Sequence, residues 1–253
     1  MRSKYLIIIT LVLLGLVLVQ SSALAVTEFN LPNLDIQIGE GTEEPQDLAN
    51  SLQILILLTV LTLAPAILIL LTSFTRIIVV LSLLRRGLAT QTMPPNQVLI
   101  GLAIFLTIYV MSPVWGQINQ EAVQPYLAEE IEQSVALENT LDPLREFMFS
   151  NTREKDIALF INMSELERPN NQEDVPTFTL IPAFITSELR TAFQIGFIIY
   201  IPFIVIDMIV ASVLMSMGMM MLPPVMISLP FKVLLFVLVD GWYLVIRSLV
   251  ETF

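Results

Sequence analysis

From Leu52 to Leu84 the chain runs for 33 residues with one charge, Arg76. A straight helix of that length reaches about 50 Å, whereas the hydrocarbon core of a bilayer is about 30 Å thick. The stretch is too long for a simple span, so a broken or strongly tilted helix is expected. Pro65 can kink it, and Thr72-Ser73-Phe74-Thr75-Arg76 interrupts its apolar face. Arg85-Arg86 follows at once and marks a cytoplasmic end. A charge placed like Arg76 is costly in apolar surroundings, so a partner carboxylate or a cage of carbonyls is expected around it.

Three more apolar blocks follow. Gln97 to Trp115 is uncharged for 19 residues, with Tyr109 and Trp115 suited to an interface and Pro113 near the exit. Ile185 to Phe231 is the third, and Val233 to Ile246 the last. With 55% hydrophobic residues, the chain reads as an all-α membrane protein. It is expected to have kinked helices and helical hairpins, in about four apolar blocks plus a small extracytoplasmic helical segment.

The remaining segments set the boundaries. Residues 1–25 have the form of a signal peptide, with Arg2 and Lys4, an apolar core, and Ala23 and Ala25 before Val26. Residues 26–50 carry acids and no Lys or Arg, and read as a flexible acidic arm. Residues 51–115 form the first helical membrane or assembly region. Residues 116–181 are the one sizeable polar segment, with 13 Asp/Glu against 4 Lys/Arg, which places it on the periplasmic side. Within it Leu127, Ile131 and Val135 suggest one amphipathic helix, and Asp142-Pro143 the start of a second. Residues 182–253 form a C-terminal helical hairpin.

The absence of Cys and His removes thiol nucleophiles, disulfides, imidazole chemistry and nearly all transition-metal sites. No constellation of Lys, Ser, Thr, Tyr and carboxylates replaces them, so neither an enzyme nor a cofactor or metal site is expected. A net charge of -11 makes a poor nucleic-acid binder. Glu129-Glu130-Glu132 lacks a ligand geometry and reads as a solvated face.

Two features of the last segment carry chemistry. Met215-Ser216-Met217-Gly218-Met219-Met220-Met221 is followed by Leu222-Pro223-Pro224. The two prolines stop a helix, so a turn between two apolar helices is required. Methionine is flexible and polarisable and repacks around a changing surface. The second feature is a set of ionisable groups in or beside the apolar blocks: Arg76, Glu188, Arg190, Asp207, Lys232 and Asp240. Arg76, Asp207 and Asp240 are expected as buried charges that pair or serve assembly. Asp207 and Asp240 also leave open an ion- or proton-coupled transporter, and pairing alone leaves open a non-conducting scaffold.

Several ordered runs resemble the type III secretion export-gate (FliP/SctR) family. They are Pro182-Ala183-Phe184-Ile185-Thr186-Ser187-Glu188-Leu189-Arg190, Pro202-Phe203-Ile204-Val205-Ile206-Asp207, the methionine run, Ser228-Leu229-Pro230-Phe231-Lys232 and Asp240-Gly241-Trp242. Upstream, Thr75-Arg76-Ile77 and Pro143-Leu144-Arg145-Glu146-Phe147-Met148 fit as well. The resemblance implies a pore-forming subunit that passes unfolded flagellar proteins across the bacterial inner membrane, within the flagellar basal body and with a large part on the periplasmic side. It implies a pentamer of copies of this chain, joined by Q and R subunits and other export-apparatus membrane proteins in the lipid bilayer. It assigns Met217, Met219, Met220 and Met221 to a pore gasket, with Gly218, Pro223 and Pro224 shaping the loop. Glu188 and Lys232 would form an ion pair between neighbouring subunits.

Overall fold

The computed structural model describes residues 45–253 except 91, 165–168, 170 and 220. The expected signal peptide and most of the acidic arm lie outside the described residues. The chain divides into two units, 1–55 and 56–253; in the first, the described residues are the start of one helix. Every regular element among the described residues is helical, so the fold is all-α, as expected.

Helix α1 (Pro45–Leu70) is followed after three residues by α2 (Phe74–Gly87). The overlong block therefore breaks, and it does so at Leu71-Thr72-Ser73 rather than at Pro65, which stays inside α1. The Thr72 hydroxyl donates back to the Ile69 carbonyl at 3.0 Å, a local bond that competes with the helical ladder.

The second block bends by 54° between α3 (Asn96–Val110) and α4 (Ser112–Ile118), where Pro113 enters at the first turn of the new helix. A π-helical turn at Asn119–Val123 and the short α5 (Gln124–Leu127) lead into the polar segment. Here two expectations are corrected. The chain turns at Glu129, with φ 58°, so Leu127 and Val135 lie on different helices and Leu127 is exposed. Asp142-Pro143 starts no helix, because Pro143 lies inside α6 (Gln133–Ser150) with its ring buried beside Leu144. Burying Pro143, Leu144 and Met148 against the core outweighs the one ladder bond that a proline removes. Helix α7 (Glu154–Met163) completes the segment.

The C-terminal part is a hairpin. Helix α8 (Thr177–Ser216) has 40 residues, about 60 Å at 1.5 Å per residue, with Pro182 and Pro202 inside it. It is the one helix among the described residues long and apolar enough to cross a membrane; counting each bent pair as one span gives up to three. Helix α9 (Pro224–Leu238) returns along it and bends by 65° into α10 (Gly241–Val250).

Helices α2 and α8 form the spine of the second unit and run in the same direction: Arg76 meets Glu188, and Leu83 lies over Gly196. A Cβ on Gly196 would stand 2.3 Å from Leu83 Cδ1, and one on Gly87 2.8 Å from Phe203, so the two glycines set how closely the helices approach. Ile77, Val80 and Leu81 of α2 bury themselves with Leu99, Ala103, Ala192 and Leu249. Leu84, Leu88, Phe203, Phe236 and Val245 form a second cluster. Helix α10 thus packs antiparallel to α2, with Leu249 near Ile77 to Leu81 and Val245 near Leu84 to Leu88. Large apolar side chains remain exposed along α8 and α9, among them Phe193, Phe197, Met208, Phe231 and Leu238.

Candidate functional site

The methionine turn joins α8 to α9, and its geometry follows from its residues. Met219 N–H donates to the Leu214 carbonyl and Gly218 N–H to the Met215 carbonyl, each at 3.0 Å. This bond pair is the Schellman motif, which needs a left-handed residue just past the helix. Gly218 supplies it at φ 75°. A Cβ there would meet nothing within 4 Å, so glycine is required by conformation, not by crowding. On the other side Pro223 is the last non-helical residue, with ψ 115°, and Pro224 opens α9 with its φ already fixed. Met217 is 64% exposed and Met221 98%, while Met219 is half-buried. Met220 lies outside the described residues. Below the turn, a cleft of about 390 Å³ between α8 and α9 is lined only by apolar residues, including Val210, Leu214, Ile227 and Phe231.

Deeper in the hairpin Lys232 and Asp207 staple the two helices. Lys232 Nζ donates to Asp207 Oδ2 at 2.7 Å and to the Gly87 carbonyl at 3.3 Å, which also ties in α2. Ser228 donates to the other carboxylate oxygen, Oδ1. Lys232 is buried, whereas the Asp207 side chain is 28% exposed. Among the described residues no side-chain hydrogen bond joins the two helices between this staple and the turn. The hairpin is therefore fixed at its base, and its tip is held by apolar contact alone.

The most buried charge site lies along α2 and α8. Arg76 and Glu188 are 2% and 0% exposed. Arg76 Nε donates to Glu188 Oε2 at 2.9 Å, and Nη2 to Oε1, a bidentate pair. Nη2 also reaches Asn151 Oδ1 at 3.0 Å. Nη1 reaches the Thr252 carbonyl at 2.8 Å and the Thr252 hydroxyl oxygen at 3.1 Å. All five guanidinium N–H groups are thus occupied. The Phe253 ring covers the cation, 3.8 Å from Cζ to the centroid. One side chain joins α2, α8, the end of α6 and the residues after α10.

Glu188 and Lys232, expected to pair across a subunit boundary, have the partners Arg76 and Asp207 within the chain. This arrangement differs from the expected one in one respect. Asp240, expected among the buried charges, is exposed. It occupies the break between α9 and α10 at φ 52°, a left-handed conformation that Asp tolerates, and its side chain caps nothing. Arg76 has both the carboxylate and the carbonyl that its position called for. Sequence reasoning missed Asn151, Thr252 and Phe253: none is charged, and no spacing links them to Arg76. It also missed Arg145, which binds the Val175 carbonyl at 2.9 Å and the Thr177 hydroxyl, fixing the approach to α8.

Comparison with known proteins agrees with this picture. The FliP family model matches residues 57–249. The flagellar biosynthetic protein FliP of Bacillus subtilis (strain 168) is 57% identical over 212 residues, 84% of this chain and 96% of that relative. FliP of Borreliella burgdorferi is 49% identical over 238 residues, 92% of each chain. FliP of Aquifex aeolicus (strain VF5) is 45% identical over 225 residues, 88% of this chain and 92% of the relative. On this match, which takes in both buried ion pairs and the methionine turn, the chain belongs to the FliP family.

Proposed function

We propose that the chain is a pore-forming subunit of the flagellar type III protein export gate. In this reading it assembles with copies of itself and with the Q and R subunits in the bacterial inner membrane, and unfolded flagellar proteins pass through the assembly. The observation that carries the reading is the methionine turn: a tightly capped loop that displays Met217 and Met221 at the tip of a hairpin stapled only at its base. Flexible thioether side chains on such a tip can close against one another and deform around any passing sequence, which a wall of branched or charged side chains cannot do. The exposed apolar faces of α8 and α9 supply surface for lipid and for neighbouring subunits. The role is conducting and structural rather than catalytic.

The pairing of Asp207 with Lys232 and Ser228 weighs against a proton-coupled transporter, since that carboxylate is already neutralised. The pore and the non-conducting scaffold are separated by a stalled export substrate. With photoreactive residues at Met217 and Met221, a substrate arrested in transit is expected to crosslink to both, and not to Leu137 on the polar segment. Arrested substrate with no crosslink at either methionine supports the scaffold and removes the conducting role.

A further inference from the structure

The ionisable groups of the apolar helices leave a remainder. Arg76 is paired with Glu188, Lys232 with Asp207, and Arg247 with Glu251. Arg85 donates to the Pro94 carbonyl and to Asn96 Oδ1 at 3.2 and 2.6 Å. Three exposed groups have no ion pair or side-chain hydrogen bond among the described residues: Arg86, Arg190 and Asp240. Among the described residues Asp240 is thus the one unpartnered acid of these helices, against two unpartnered cations.

Arg86 stands on the rim of a groove of about 280 Å³ between α2 and α8, lined otherwise by Leu83, Phe193, Gly196, Phe197 and Tyr200. Gly196 forms its floor, and Phe193 and Phe197 are 58% and 62% exposed along its wall. Asp240 stands exposed at the 65° elbow between α9 and α10. Around it Val237, Leu238, Tyr243 and Leu244 are each at least half exposed. One surface is a concave apolar groove with a single cation, the other an apolar elbow with a single anion. They also lie at similar heights. Asp207 meets Lys232 and Phe203 meets Phe236, and this antiparallel register carried on to Asp240 puts it level with residues 196–200 of α8, which line the groove. Arg190 lies far back along α8, beside Glu188 and away from the elbow.

We infer that the elbow of one copy seats in the α2–α8 groove of the next, with the Asp240 carboxylate against the Arg86 guanidinium. The two patches differ, so the contact is head-to-tail, and at matched height it propagates around an axis roughly parallel to the helices, as a ring does. This rests on the reading of the protein as a multi-copy pore and names the contact that would close it. A carboxylate and a guanidinium meeting in an apolar joint form one of the stronger charge-assisted hydrogen bonds.

The chain contains no cysteine, so introduced cysteines report alone. Two differently tagged copies, one carrying Arg86→Cys and the other Asp240→Cys, are co-expressed with the rest of the export gate, extracted in detergent and treated with a short bismaleimide. The expected product is a dimer carrying both tags, absent when either variant is expressed alone. In a second arm, Arg86→Asp or Asp240→Arg alone lowers the yield of the oligomer at least about fivefold, and the double exchange restores it. An oligomer that assembles without a mixed crosslink overturns the contact and leaves the multi-copy reading standing. A wild-type chain that stays monomeric overturns both. Crosslinking within either single variant overturns the head-to-tail arrangement.

Discussion

Glu188→Gln is expected to destabilise the folded chain by about 3–5 kcal/mol, and Arg76→Leu by a similar amount, because each leaves a buried charge without its partner. Glu188 is fully enclosed, and the Arg76 guanidinium has every donor occupied by groups from three other parts of the chain. With typical domain stabilities of about 5–15 kcal/mol, a loss of this size reduces accumulation in the membrane. Arg76→Lys is expected to fail as well, since three donors on a single nitrogen cannot serve the two carboxylate oxygens, Asn151 and Thr252 together. The double variant Arg76→Leu/Glu188→Gln should cost clearly less than the sum of the singles, because no charge is left unpaired. Denaturant unfolding of the four proteins in one detergent measures this cycle. Additive losses would show that the two side chains act independently.

The second staple is expected to respond asymmetrically. Asp207→Ala leaves the Lys232 ammonium buried with only the Gly87 carbonyl and should also cost about 3–5 kcal/mol. Lys232→Met leaves a carboxylate that is 28% exposed and still bonded by Ser228, at a cost of about 1–3 kcal/mol. The new thioether also fills much of the lysine's volume. The same unfolding measurement orders the two; a larger loss for Lys232→Met would contradict the burial argument. Neither variant touches the methionine turn, so both are expected to act through the hairpin's base.

Much of this was legible in the sequence, for physical reasons. Long uncharged blocks can satisfy their backbone only as helices in apolar surroundings, so the all-α class follows from length and composition. The break near Thr72 was readable because hydroxyls clustered in an apolar run compete for carbonyls, and the methionine turn because two adjacent prolines cannot lie in the middle of a helix. Pro143 misled for the opposite reason: a proline is a helix start only if no packing compels the helix through it, and Leu144 and Met148 do compel it. Partner choice among the charges was not legible. Arg76 meets Glu188 across 112 positions and Asn151 across 75, and only the parallel packing of α2 on α8 brings them together. The unpartnered state of Asp240 was hidden as well, since it follows from a left-handed elbow that local sequence does not announce.

In the proposed gate the methionine turn seals the conduit. Deleting Met219 to Met221 while keeping Gly218 and Pro223-Pro224, then measuring ion leak across membranes that hold the assembled complex, tests it most directly. The account predicts a complex of unchanged size and a membrane that has become leaky to small ions. A fully assembled deletion variant in a membrane as tight as the wild type's would contradict it.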